Sequence, residues 1–161
     1  FLFLFLLIMF LTSCGYQKMN SDRTQIHLEN VSFAGENYIG YQLKNNILLL
    51  SDAESKKKYK LTLKILKKNS NKIKNKTGKI IRYTVSVSVI VTLTNIEEKD
   101  VNSRTLSRNS NLDISDNHSE TIDNEKKAIQ NIIDQLSEDI INYIFISTQN
   151  TETNNKVLAA V

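Results

Sequence analysis

The chain has 161 residues, enough for one domain with a substantial core and too few for two. Hydrophobic residues make up 40% of it, but a leading apolar run inflates that figure; the rest is polar, rich in Asn and Lys, and carries the whole formal charge of +4. That mild basicity permits an acidic partner. The single cysteine excludes an internal disulfide framework and a Cys-based metal site, and basic residues without interleaved aromatics exclude a nucleic-acid partner.

Phe1–Leu11 (FLFLFLLIMFL) is continuously apolar. A bilayer span needs about 20 residues, so this run has the length of a signal-peptide h-region. No basic n-region or initiator Met precedes it, and the recorded start is read as lying inside the leader. Leu11-Thr12-Ser13-Cys14 then has the form of a bacterial lipobox: a branched apolar residue, two small ones, and cysteine. Cleavage before Cys14 would leave residues 1–13 as signal peptide, with acyl chains of the palmitate type on the new N-terminal cysteine. Two or more chains anchor a protein stably, where one does so marginally. Gly15 stands where an aspartate would signal inner-membrane retention, which favours outer-membrane delivery.

Past a polar lead-in, Ile26–Phe33 alternates, slips by one residue and alternates again, the pattern of a strand with a bulge or bend. His27 falls on its polar side. Ile39, Leu43, Ile47 and Leu50 recur at helical spacing, predicting an amphipathic helix over 37–50. Tyr59, Leu61, Leu63 and Ile65 then alternate with Lys60, Thr62 and Lys64, a half-buried strand. Residues 67–79 (KKNSNKIKNKTGK) read as a basic polar turn. Beyond it, Ile81, Tyr83, Val85, Val87, Val89, Val91 and Leu93 share one face, against Arg82, Thr84, Ser86, Ser88, Thr92 and Thr94 on the other. This is a strand of about 14 residues, far above the usual 5–6, and its apolar face calls for a single covering layer of helices.

Asn95–Asp100 makes a turn, and Val101–Ile114 has a weaker strand pattern. A broad apolar stripe from Ile122 to Phe145 predicts a helix over 119–145, with Ser119 or Thr121 as its cap. Residues 147–161 read as a flexible tail. The fold class is α+β in the order β-α-β-β-β-α: an antiparallel or mixed four-stranded sheet with two helices packed on one face. It forms one domain over 14–146.

No nucleophile elbow, zinc-binding helix, phosphate-binding glycine loop or Cys/His cluster occurs. Glu97, Glu98 and Asp100 sit together in a predicted hairpin turn, where a solvated turn accounts for them. No enzyme, cofactor or metal is expected. The lysines of the basic turn, with Arg82, gather at the tip of the longest hairpin. A charge run of this kind is a solvated loop or a phosphate-binding surface, since lysine binds phosphate as a point charge.

With this order of elements, the chain resembles the LptE-type LPS-assembly lipoproteins, in particular alphaproteobacterial members. The resemblance rests on the start Cys14-Gly15-Tyr16, the long strand hairpin, Ser107-Arg108-Asn109-Ser110-Asn111-Leu112-Asp113-Ile114, Lys126-Lys127-Ala128, and Leu136-Ser137-Glu138-Asp139-Ile140-Ile141, over roughly residues 14–145. Lys18 stands where a proline is common, and no aromatic lies near Leu112. The resemblance implies an outer-membrane lipoprotein on the periplasmic face that plugs an LptD-type β-barrel, assists its assembly and contacts lipopolysaccharide. Lys72, Lys74, Lys76, Lys79 and Arg82 would then meet the anionic lipid. An accessory lipoprotein of an ABC-type lipid transporter is the alternative, because such domains share the signal-plus-sheet outline.

Overall fold

The computed structural model describes residues 26–158, with side-chain detail for all of these but 71 and 150–158; Cys14 and the leader lie outside the described residues. Strand β1 (His27–Gly35) leads into helix α1 (Asn37–Leu48), followed by β2 (Lys58–Lys74), β3 (Ile80–Asn95), β4 (Val101–Asp113) and helix α2 (His118–Leu158). The four strands form one sheet in sequence order. β1 runs parallel to β2, and β2–β3 and β3–β4 are antiparallel. The mixed sheet follows from connectivity: a helix crossover can return a strand parallel to its predecessor, whereas tight turns give antiparallel pairs.

Both helices cover one face, α1 against β1 and β2, α2 against β4 and β3. Val85, Val87, Val89, Val91 and Leu93 of β3 and Leu61, Leu63 and Ile65 of β2 are buried beneath them. They meet Ile39, Leu43 and Ile47 of α1 and Ile132, Ile133, Leu136 and Ile140 of α2. Each such side chain stabilises the fold by about 1.5–3 kcal/mol through burial. Where the helices touch, the buried Ser137 hydroxyl donates to the Ile133 carbonyl (2.8 Å) and accepts from Asn46 Nδ2 (3.0 Å). That polar group is therefore satisfied inside the core.

The slip in β1 is a real register shift between Leu28 and Asn30, which keeps both Leu28 and Val31 buried. Gly35 ends the strand at φ 106, and a Cβ there would lie 2.0 Å from the Ile65 carbonyl oxygen, so only glycine turns the chain toward α1. Gly40 lets α1 settle on Phe33, whose ring meets Tyr41 edge-on at 4.9 Å.

Four local expectations change. α1 ends at Leu48, and α2 is capped by Asn117, whose Oδ1 accepts from the Ser119 N–H at 3.0 Å. Thr121, offered above as a cap, instead accepts from Ser115 N–H in the preceding turn. α2 also continues past residue 145 to Leu158, because no glycine or proline stands there to stop it. His27 is half-buried, with its Nδ1 enclosed and unpartnered among the described residues, so it is not a fully solvated histidine. No described helix is long and apolar enough to cross a membrane.

Candidate functional site

The β2–β3 hairpin is longer, and its turn tighter, than the composition of residues 67–79 suggests. β2 stays paired with β3 through Lys74, across a bulge between Ser70 and Ile73. Away from the helices both faces meet water, so cross-strand hydrogen bonds maintain the strand without apolar alternation. The turn is built on one side chain. Asn75 Oδ1 accepts from the Thr77 N–H (3.0 Å), the Thr77 hydroxyl (2.7 Å) and the Lys79 N–H (3.0 Å), while Gly78 takes φ 84. An Asx turn with glycine at the left-handed position fixes the tip.

The candidate cations divide into two sets on this frame. Lys72, Lys74 and Lys76 are exposed and form no ion pair among the described residues. Lys79 is instead bonded to Asp116, and Arg82 to Asp113, both carboxylates from the end of β4 and its link to α2. The Arg82 hydrogen bond holds the Asp113 carboxyl below its ordinary range, and Lys79 does the same to Asp116. These two cations are therefore largely balanced within the chain, and three free ammonium groups remain at the tip.

Lys67 and Lys68, grouped with the tip by sequence, lie further back on opposite faces of β2. Lys67 reaches the helix side, where its Nζ bonds Glu125 Oε1 at 3.1 Å. The Tyr83 hydroxyl donates to the other oxygen of Glu125, also at 3.1 Å, and burial followed by that carboxylate raises the Tyr83 pKa. This is a brace between sheet and helix. Arg108 makes a second brace, with two hydrogen bonds to Asp139 at 2.6 and 2.7 Å.

The uncovered sheet face is mostly polar, with Leu66 and Ile90 as apolar members. Hydroxyl and amide rungs cross it: Ser107 to Ser88 (2.8 Å), Thr84 to Asn111 (2.9 Å), Thr92 with Ser103 (3.3 Å) and Ser32 with Thr62 (3.2 Å). Sequence reading placed Lys60 and Lys64 on this face without weighing them; their alternation was the available signal, hidden by a generally lysine-rich chain.

A family model for LptE, described as lipopolysaccharide-assembly, matches residues 24–144. The chain belongs to the LptE family. The match spans all of the sheet, α1 and most of α2, which makes lipopolysaccharide assembly the process in which this domain acts. Solved structures agree on the fold. A Caulobacter crescentus CB15 structure shares 15% identity and a TM-score of 0.56, covering 77% of this chain and 91% of that one. Lipoprotein B from Nitrosomonas europaea shares 13% and 0.56, covering 82% and 92%. Rare lipoprotein B from Shewanella oneidensis shares 12% and 0.52, covering 82% and 98%. No curated protein sequence matches the chain.

Proposed function

We propose that this LptE-family chain is an outer-membrane lipoprotein, anchored through acylated Cys14 on the periplasmic face, that seats in the lumen of an LptD-type export β-barrel. There it assists barrel assembly and the delivery of lipopolysaccharide to the surface. The observation that carries the reading is the family match over the whole sheet, on a domain whose open face is largely polar and hydroxyl-rich. Large outer-membrane barrels have polar interiors, and a domain with one hydroxyl-rich face can fill such a space without burying unpaired apolar surface. The role requires no catalytic group.

The proportions support it. The chain enters the sheet at Ile26–His27, opposite Lys58 at one end of β2, and the basic tip follows Lys74 at the other. At about 3.3 Å per residue the two ends are roughly 50 Å apart along the strand, against about 30 Å for a bilayer's hydrocarbon core. A domain tethered at the inner leaflet and pointing into a barrel would carry its tip toward the outer leaflet. Lys72, Lys74 and Lys76 would there meet the phosphates of lipid A and core sugars, with Lys79 and Arg82 contributing less because Asp116 and Asp113 already hold them. Affinity purification from outer membranes tests the partnership: a large β-barrel should be recovered stoichiometrically with this chain, and its absence would count against the lumen reading.

A further inference from the structure

The side chains of β2 separate sharply by face. Tyr59, Leu61, Leu63 and Ile65 lie buried under the helices. Lys58, Lys60, Lys64 and Lys68 are exposed on the open face, with Thr62 and Leu66 between them. None of these four lysines forms an ion pair among the described residues: Glu125 and Asp139 are bonded on the helix side, Asp113 and Asp116 near the tip, and the nearer carboxylates, Glu29 at the β1 bulge and Glu97, Glu98 and Asp100 in the turn after β3, lie at the Lys58 end. Their cross-strand neighbours on β3 are neutral, Thr94 beside Lys60, Ile90 beside Lys64 and Ser86 beside Lys68. On β1, Asn30 and Ala34 face Lys60 and Lys64.

Edge strands commonly carry lysine to prevent further pairing. β2 is interior, held between β1 and β3, so these lysines protect no edge. They form a row of like charge down a largely polar face, and none has an ion-pair partner among the described residues. We propose that this row is a docking ladder for an acidic protein wall: a β-strand of a partner, lying along β2, that presents Asp or Glu at every fourth position, opposite Lys60, Lys64 and Lys68.

Spacing favours that occupant. Successive same-face residues on a strand are about 6.7 Å apart, so Lys60, Lys64 and Lys68 follow at intervals of roughly 13 Å. Another strand repeats its side chains with the same period, and aligned sheets pack about 10 Å apart, within the combined reach of a lysine and a carboxylate. Lipid phosphates lie clustered on one headgroup, and Lys60, Lys64 and Lys68, about 13 Å apart in succession, do not converge on one of them. The hydroxyl rungs on β3 and β4 flank the ladder as neutral hydrogen-bonding surface, and the charged row sets the register. The inference rests on the barrel-lumen reading and names the chemistry of the wall that this face meets.

The test uses the full lipidated protein and its outer-membrane LptD-type barrel, purified together in detergent. Lys60→Glu/Lys64→Glu/Lys68→Glu should lower barrel association by at least about tenfold, and the matching triple Gln variant by an intermediate factor. The triple Arg variant, which keeps the charge, should associate like wild type. Wild-type association should weaken as NaCl rises from about 50 to about 500 mM, as charge pairing requires. Melting temperatures establish that each variant is folded, and vesicles containing lipopolysaccharide measure lipid binding in parallel, where no change is expected. Wild-type barrel association by a folded Glu variant would overturn the ladder while leaving the lumen reading intact. Loss of vesicle binding with barrel association retained would overturn it by assigning the row to lipid. Failure of the wild-type chain to bind the barrel would overturn both.

Discussion

Replacing Val89 with aspartate places a carboxyl where the core is most apolar. Val89 is 0% exposed, and its cross-strand neighbours are Ile65 and Leu106. Val87 would be a poorer site, because Lys67 and Arg108 flank it and either could reach a new carboxylate. A carboxyl buried without partners has its pKa raised by about 3–5 units, to near or above neutral. At pH 7 it must therefore take up a proton to stay buried, which at 1.36 kcal/mol per unit over the roughly 3 units from its unfolded pKa costs about 4 kcal/mol. Loss of the valine's packing adds about 2 kcal/mol. The sum is comparable to the whole stability of a small domain, about 5–15 kcal/mol. Ser88→Asp, one residue away, falls on the open face beside Leu66 and Ser107 and loses one hydroxyl contact; its effect should stay within about 1 kcal/mol. Urea unfolding of residues 15–161, followed by circular dichroism, separates the two. The carboxyl's folded pKa is raised above its unfolded value, so its penalty grows as pH rises from about 4 toward the folded pKa and disappears as pH falls below about 4. Val89→Asp should therefore recover stability toward acid relative to Val89→Ala. Equal midpoints for Val89→Asp and Ser88→Asp at pH 7 would refute the assigned faces of β3.

Gly35→Ala should destabilise by several kcal/mol, because its φ of 106 and the Ile65 carbonyl 2.0 Å from the added Cβ force the strand end to move; a drop of more than about 10 °C in Tm is expected. Cys14→Ala should leave an unprocessed, unacylated protein, read by mass spectrometry and membrane fractionation; an unmodified Cys14 in mature wild-type protein would end the lipidation account. Asp113 and Asp116 have lowered folded pKa values, so what they contribute is present above their unfolded pKa and lost as pH falls through the folded one. The double Asn variant should accordingly show a shallower loss of Tm between pH 5 and pH 2, a small effect because both carboxylates are exposed.

How much of this could be read from sequence depends on how many faces an element buries. β3 buries one face from Val85 to Leu93, while Ile81 at its start stays exposed, and the period-two alternation gave the face assignment directly. The bulge in β1 was also legible, as a slip between two alternating runs. Beyond the helices that signal fails: both faces of Lys68–Lys74 are wet, and a strand there resembles a polar loop until its pairing with β3 is seen. The division among the tip cations was invisible for another reason. Asp116 and Asp113 lie 37 and 31 residues from Lys79 and Arg82, brought close only by the return of β4 along β3. The far end of α2 was missed because its Asn/Thr-rich composition suggested a tail, while the absence of helix-breaking residues decided otherwise. The lysine row on β2 was present in the alternation, but its meaning depends on β2 being interior, which only the sheet order reveals.

The most direct test of the central claim is depletion of the protein in cells, with the assembled LptD-type barrel and surface lipopolysaccharide measured over the same time course. The account predicts that both fall together, with the barrel lost first from its mature outer-membrane form. Normal barrel levels and an intact lipopolysaccharide layer after complete depletion would contradict it.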